Sequence, residues 1–411
     1  MERIGPFERK ISSSYLSPSL VALPNLVYPA SSVSVEALEF IGLNRYAAQR
    51  IFDNLKSAQI DDQEDEEAEL PSIIRGHLTQ LNTKFENLPI ADAFTNVRLT
   101  EDTIAAILNP EFRDVFETET PFCWAFDMLR MRFNEKSAER ALLAKRQKKS
   151  LNVEDVLGGN EAHPSQSFGS QTNASSGMTR SGIRAGGPSL PTTCTFIESV
   201  PMPPENHLVL YIGRCPAKFR FPEDDFVEED GSINMATTGT YPAGDFNASS
   251  RVWYFTTEYE TADIYRRYAA TRCPNEVTWI VLIAIPQQLD ATLRTEELWW
   301  LCEFREFVWY SRKGKTTFPE RLRHYDSSDV MKGNILKYQS VARCVQDNIH
   351  SSITEDNLYK LNSGRKSTQW VARNDETARK IAQWARGNLH IETFAPVIHQ
   401  EGCCASSCPT G

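Results

Sequence analysis

A polar segment over residues 150–193 divides the chain into two parts with different hydrophobic patterns. Glycine, serine, asparagine, threonine and proline dominate this segment, and its apolar residues follow neither a helical nor a strand period. Such a segment buries too little apolar surface to offset the entropy of ordering its backbone, so it is predicted to be a disordered linker. A chain of 411 residues is too long for one typical domain, and its cores must lie on either side of this linker.

The part before the linker, residues 1–149, is predicted to be a helical N-terminal domain. Apolar residues recur at helical spacing over 35–56, 73–88 and 100–149, and Thr100 and Thr103 are candidate helix caps. No motif assigns a function here, and an unknown protein partner is the one role suggested. The basic run at 145–149 has two interpretations, a nuclear-import signal and a cationic helix end that complements the helix dipole.

The part after the linker changes to short strands with helices between them, which is typical of an α+β domain. Strands are predicted over 208–212, 251–257, 277–285 and 306–311, and helices over 258–271 and 296–302. These elements form a predicted α+β domain at 194–335. Residues 336–400 are predicted to be a helical extension, with its best helix over 377–388, and residues 401–411 a disordered tail.

Composition argues against several classes of protein. The formal charge of −10 argues against a general nucleic-acid partner, which requires a basic face. No window offers the roughly 18 apolar residues of a membrane span, and residues 1–29 lack the pattern of a secretory signal. The nine cysteines are scattered without a Cys-x-x-Cys pair, so reduced thiols and no metal are expected. These features predict a cytoplasmic protein, with the nucleus as the alternative.

Three short stretches carry side chains suited to a binding cleft. In the first predicted strand, followed on to Arg214, Gly213 would admit a ligand or another backbone at close range. In the second, aromatic residues run into Thr257, a good N-cap for the next helix with Glu260 in the capping-box position. In the fourth, Glu306 heads an apolar strand, where an unpaired carboxylate is costly to bury. Either Glu306 serves a purpose in the cleft, together with the nearby Glu303, or Arg305 or Arg312 satisfies either acid in a salt bridge.

Taken in order, these stretches resemble three motifs of ADP-ribosyltransferase-like domains. The sequence Leu-Tyr-Ile-Gly-Arg at 210–214 is similar to the first motif. The aromatic strand Trp-Tyr-Phe-Thr-Thr at 253–257, followed by a helix that carries Ala262 and Tyr265, is similar to the second. The stretch 303–310, with its glutamates and aromatic residues, is similar to the third. The resemblance covers about 195–333 and implies a split β-sheet.

The resemblance implies NAD as cofactor and substrate, an unknown protein or small molecule as the ADP-ribose acceptor, and no metal. A glutamate would stabilise the oxocarbenium-like state formed as the nicotinamide–ribose bond breaks. Glu306 would take that catalytic role, with Glu303 the second candidate. The residues implied in cofactor binding are Tyr211, Arg214, Tyr254, Thr256, Thr257 and Tyr265.

The chain departs from the family pattern in the first motif, where the family has a His or Arg that anchors the ribose. Ile212 occupies that position, and Arg214 is the candidate substitute. Two functions follow. One is a mono-ADP-ribosyltransferase or NAD glycohydrolase that uses Glu306. The alternative is a catalytically inactive member of the same superfamily that acts as a binding or interaction module. An α+β domain unrelated to this family, with its tryptophans as simple core, is a third interpretation.

Overall fold

The computed structural model describes residues 29, 31, 33–58, 63–134, 194–197, 205–218, 226–228, 230–240, 244–337 and 346–396. The predicted linker, the basic run at 145–149 and the predicted tail lie outside these residues. Within them, no helix has the length and apolar character needed to cross a bilayer. Among the described residues, Cys215 is a buried free thiol and Cys302 an exposed one.

The first described part of the chain is helical, as predicted. Its helices are α1 (Val35–Phe40), α2 (Arg45–Ser57), α3 (Gln63–Leu78), α4 (Gln80–Thr83), α5 (Ile90–Asn96), α6 (Glu101–Ile107), α7 (Arg113–Phe116) and α8, described over 121–134. Side-chain oxygens of Ser34, Asn44 and Thr100 accept hydrogen bonds from backbone N–H groups in the first turns of α1, α2 and α6. The expected cap at Thr100 is therefore confirmed, whereas Thr103, the other candidate, lies buried within α6.

The described residues between 194 and 396 form a mixed α+β structure. Its strands are β1 (Cys194–Ile197), β2 (His207–Arg214), β3 (Trp253–Phe255), β4 (Thr278–Pro286), β5 (Thr295–Leu298), β6 (Val330–Asn334), β7 (Thr368–Ala372) and β8 (Leu389–Phe394). Its helices are α9 (Tyr259–Arg272), α10 (Gln287–Asp290), α11 (Cys302–Arg312), α12 (Arg323–Asp326), α13 (Ile349–Ser352) and α14 (Asp375–Trp384). Short 3-10 turns lie at Pro110–Phe112, Pro216–Lys218, Met235–Thr237, Glu320–Leu322, Gln346–Asn348 and Glu355–Asn357.

The strands form two four-stranded sheets. The first has the order β1-β8-β4-β2, with β1 and β8 parallel and the other neighbours antiparallel. The second has the order β3-β7-β6-β5, with β5 and β6 parallel. The two sheets meet where Tyr211 of β2 and Thr256, just after β3, exchange backbone hydrogen bonds of 2.7 and 3.1 Å. The α+β class is thus confirmed, with two sheets joined at one edge.

Three predicted elements differ from the structure. Residues 302–312 form the helix α11, although a strand was expected over 306–311, and β5 lies where a helix was expected over 296–302. Phe304, Phe307, Val308 and Ser311 are buried at helical spacing, which outweighs the strand preference of the aromatic residues.

The prediction of a purely helical extension over 336–400 is also wrong. Its best helix is present as α14, but the same region supplies β7 to one sheet and β8 to the other. Each of these strands lies between two neighbours. The described part of this region therefore completes both sheets, because neither would be continuous without it.

The helices of 33–134 and the α+β structure share a hydrophobic core. Most of this core comes from α1 to α8, but buried Tyr268 of α9 belongs to it, as do Ile335, Tyr359 and Leu361. The Tyr268 hydroxyl donates to the carbonyl oxygen of Ile107 at 2.7 Å, and its ring meets Trp124 of α8 edge-on at 5.0 Å. Helix α9 therefore packs against β2 on one side and against the N-terminal helices on the other.

The contact of α9 with β2 depends on a glycine. A Cβ atom at Gly213 would lie 1.7 Å from the carbonyl oxygen of Ala262, so only a residue without a side chain permits this approach. The sequence predicted that Gly213 admits a ligand or another backbone at close range. The backbone of α9 takes that place.

We expect the Gly213→Ala variant to lose roughly 1–3 kcal/mol of unfolding free energy, because the new methyl group forces α9 away from β2. Urea denaturation followed by circular dichroism measures this loss. Gly76→Ala is the matched control, since a Cβ atom there has no atom within 4 Å. Ala is the better helix former, so the control should gain up to about 1 kcal/mol. A Gly213→Ala variant as stable as wild type would contradict the assigned contact.

Candidate ligand-binding cavity

A cavity of about 200 Å³ lies where α8, α9 and the ends of β2 and β3 converge. Residues 211–215 of β2 and its C-terminal flank form one wall, and residues 254–256 form the next. Thr261 and Tyr265 of α9 and Trp124 of α8 close the opposite sides. The cavity thus lies between the N-terminal helices and the α+β structure, at the point where the two sheets meet.

Five of the six residues predicted to bind a cofactor line this cavity: Tyr211, Arg214, Tyr254, Thr256 and Tyr265. These residues come from β2, β3 and α9, which the motif order placed together. Ile212, which departs from the family pattern, also lines the cavity beside Arg214.

The sixth predicted residue, Thr257, is exposed and does not line the cavity. Its hydroxyl oxygen lies 3.3 Å from that of Thr368. The prediction that Thr257 is the N-cap of α9 is also wrong. The N-cap residue is Glu258, and the hydroxyl of Thr256 accepts a hydrogen bond from the backbone N–H of Glu258 at 3.1 Å. Thr256, one residue earlier, therefore orders this turn.

Two of the cavity tyrosines have their hydroxyl groups bound to the protein itself. The Tyr254 hydroxyl donates to Asn247 Oδ1 at 2.8 Å and accepts from the backbone N–H of Phe246 at 3.2 Å. The Tyr265 hydroxyl donates to Thr118 Oγ1 at 2.9 Å. Burial raises the pKa of both phenols, well above the ordinary value for Tyr254. Both rings therefore stay uncharged near neutral pH, and their hydroxyls are held in place.

The cavity wall contains both positively and negatively charged side chains. The cations are Arg75, Arg130, Arg214 and Arg272, and the acids are Glu119, Asp127 and Asp245. Burial lowers the pKa of Arg214 while Asp127 raises it, and an arginine still keeps its proton at neutral pH. One Nη1 hydrogen bond of Arg214, 3.1 Å long, goes to the carbonyl oxygen of Thr238.

Asp245 is fully occupied by a buried network. Its Oδ1 lies 2.7 Å from both Nε and Nη2 of Arg312, at the end of α11. Its Oδ2 accepts from the backbone N–H of Leu336 and from Gln369 Nε2, both at 3.0 Å. Arg312 also donates to the carbonyl oxygen of Thr118 at 3.1 Å. This carboxylate therefore has a structural role in the cavity wall.

Neither predicted catalytic glutamate lines the cavity. Glu306 is on α11 and forms an ion pair with Arg321, and His350 Nε2 lies 3.3 Å from its carboxylate. Glu303 accepts a 2.8 Å hydrogen bond from the Tyr325 hydroxyl. Glu306 therefore forms a salt bridge, which was the second interpretation of its sequence position. Its partner is Arg321 and not Arg305 or Arg312.

Sequence reasoning missed the contribution of the N-terminal helices to this cavity. Trp124, Asp127 and Arg130 project from α8, and Arg75 comes from α3. Their only signal in the sequence is helical spacing, which does not distinguish a cavity wall from an ordinary helix surface. It also missed a buried cluster beside the cavity, in which Glu258 Oε2 accepts hydrogen bonds from Thr261 and Ser367 at 2.8 and 2.9 Å.

No protein-family model, curated protein or solved structure matches the chain. The function of the chain is therefore inferred from the arrangement of the cavity.

We expect Arg312→Met to destabilise the fold by roughly 3–5 kcal/mol, because it leaves Asp245 buried without its cation. The free energy of unfolding in urea measures this change. The control is Arg113→Met, which breaks the exposed i,i+4 pair with Glu117 and should cost less than about 0.5 kcal/mol. Equal effects of the two substitutions would contradict a structural role for the buried pair.

Proposed function

We propose that the chain is an ADP-ribosyltransferase-like binding module that holds a small ligand in the cavity and does not use Glu306 for chemistry. The proposal is supported by the fact that the predicted binding residues and the predicted catalytic glutamate lie in different places. Five residues implied in ligand binding line one cavity, and the glutamate implied in catalysis does not.

The position of Glu306 supports the non-catalytic role. Glu306 lies six residues before Arg312 on α11, a separation of about 9 Å along the helix axis. Arg312 is the residue of α11 that reaches Asp245 in the cavity wall. Its carboxylate is paired with Arg321 and lies within reach of His350. A group that stabilises an oxocarbenium-like state has to sit beside the reacting ribose, and Glu306 lies outside the cavity that would hold it.

The size of the cavity supports a small ligand. Sites for drug-sized molecules range over roughly 300–1,000 Å³, and this cavity has about 200 Å³. That volume suits a single ring with its substituents better than a complete dinucleotide. The aromatic side chains of Tyr211 and Trp124 supply flat apolar walls for such a ring.

The NAD-dependent transferase or glycohydrolase is the second candidate function. The convergence of Tyr211, Tyr254 and Tyr265 on one cavity favours it, since the resemblance assigns these residues to the nicotinamide and ribose pocket. NAD would then be the substrate, with an unknown acceptor.

Incubation of the purified protein with NAD separates the two functions. We expect no release of nicotinamide above the protein-free rate, measured by chromatography, and the same result for Glu306→Gln and for the control Glu303→Gln. Nicotinamide release by wild type that Glu306→Gln abolishes would overturn the proposal in favour of the transferase.

Binding at the cavity is tested with a panel of single-ring compounds by ligand-observed NMR. We expect saturable binding that Cys123→Trp removes, because the indole would fill the space that Cys123 borders. Circular dichroism and the melting temperature verify that this variant is folded. Binding that persists unchanged in a folded Cys123→Trp variant would place the ligand elsewhere.

A further inference from the structure

We propose that strand β5 and the apolar residues that follow it form a docking site for an extended peptide with basic and apolar side chains. The site consists of residues 295–301, which we call the β5 edge. It goes beyond the proposed function, because β5 lies at the opposite end of the second sheet from β3, which borders the cavity.

Strand β5 is an edge strand, with β6 as its only partner among the described strands. Just before it, the N–H of Arg294 donates to Asp329 Oδ2 at 3.0 Å, and the carbonyl oxygen of Arg294 accepts from the N–H of Asp329 at 2.9 Å. Just after it, the N–H of Trp300 donates to Asn334 Oδ1 of β6 at 3.1 Å. Backbone groups directed to one neighbour recur at every second residue of a strand, so those of the even-numbered residues point toward β6.

The backbone groups of Thr295, Glu297 and Trp299 consequently point to the open side of β5. Outside the pairing of β5 with β6, none of these N–H and C=O groups is hydrogen-bonded to another described residue. A row of such groups is a template for a further strand, whose backbone bonds to each of them in turn. The geometry therefore fits a partner in extended conformation.

Two apolar side chains of the β5 edge are exposed. Trp299 is 39% exposed and Leu301 is 66% exposed, and they are two of the four large apolar side chains exposed among the described residues. The Nε1 atom of Trp299 donates to Glu297 Oε2 at 2.9 Å, which orients the indole ring. Charged residues or proline are sufficient to protect an edge from aggregation. An oriented tryptophan is instead typical of the side chains that contribute most to protein interfaces.

The β5 edge also carries negative charge. Glu296 and Glu297 lie on β5, and Glu303 follows in the first turn of α11. Among the residues that the structure describes, none of these three carboxylates forms an ion pair. Burial, together with Glu303 and Glu296, raises the pKa of Tyr325 to about 12, so these two acids act on the same place. The three acids outnumber the two arginines at 294 and 305, which favours a partner with basic side chains.

A second copy of the chain does not fit these charges. Two β5 strands paired edge to edge would bring Glu296 and Glu297 beside the same acids of the other copy, and like charges opposite each other in a sheet are destabilising. A strand with two adjacent basic residues meets Glu296 on one face and Glu297 on the other, because successive side chains alternate in direction. Apolar residues beside that basic pair then reach Trp299 and Leu301.

Blocked synthetic peptides test the inference on the full chain by calorimetry. The probe is Val-Leu-Val-Lys-Lys-Thr, and its charge-reversed match is Val-Leu-Val-Glu-Glu-Thr. We expect the basic peptide to bind about 10-fold or more tightly, because two cross-strand pairs of opposite charge replace two of like charge. Added salt should reduce this difference by screening exposed charges. Equal affinities, or no binding of the basic peptide at millimolar concentration, would overturn the proposal.

N-methylation of the basic peptide tests the strand geometry. Two further peptides carry N-methyl groups on alternate residues, one peptide for each set of positions. Only one set of N–H groups faces β5 in an added strand, so one methylated peptide should lose binding while the other retains it. Equal affinities of the two methylated peptides would contradict strand addition.

Substitutions in the β5 edge test the assigned residues. Trp299→Ala should weaken binding about 10-fold or more, and Tyr46→Ala is the control, since this tyrosine is 67% exposed on α2. Glu297→Pro removes an N–H on the open side, where an edge strand tolerates proline. It should weaken binding more than Glu297→Gln, which removes the charge alone. Circular dichroism verifies folding, and Trp299→Ala decides the question if the proline variant does not fold. Unchanged affinity in a folded Trp299→Ala variant would overturn the proposal.

Two further measurements identify other occupants of the edge. We expect Glu297→Pro to leave the sedimentation coefficient of the protein unchanged. A wild-type dimer that this variant dissociates would overturn the proposal in favour of a second copy. Peptide binding that appears only when the basic residues of 145–149 are replaced by glutamine would overturn it in favour of that run of the same chain.

Discussion

The buried ion pair between Asp245 and Arg312 connects the parts of the structure on which the cavity depends. Through it, the loop before β3 is joined to the end of α11, to the backbone at Leu336 and to Gln369 of β7. The same arginine reaches the carbonyl oxygen of Thr118, in the turn that precedes α8. A pair buried at this point is worth little as net stability but fixes which segments meet. The N-terminal helices and the second sheet are thereby held at one fixed edge of the cavity.

How far the sequence determined the fold can be judged from particular elements. β2 and β4 were predictable because each is a strand-length apolar run with clear boundaries, and the cap at Thr100 followed from local chemistry. α11 was mistaken for a strand because its aromatic residues favour strands, whereas its buried positions follow the helical period. β7 and β8 were missed because each is short and flanks a strongly amphipathic helix, α14. Their assignment depends on partners distant in the chain, which local patterns do not reveal.

The cavity was predictable where a motif placed its residues on adjoining strands, as for Tyr211 and Thr256. It was not predictable where the wall comes from another region, as for Trp124 and Asp127 of α8. Glu306 lies outside the cavity because residues 302–312 form a helix and not a strand, and α11 turns this side chain toward Arg321.

The central position of β8 has a consequence for how the protein is made. β8 lies between β1 and β4, and it pairs residues 194–197 with residues 389–392. A ribosome therefore has to synthesise about two hundred further residues before β1 meets its partner, at roughly 5–20 residues per second. Contacts so distant in sequence are slow to form, and until then the edge of β4 is open to pairing with another chain. The first sheet is thus completed after the second, because all strands of the second sheet precede β8 in the chain.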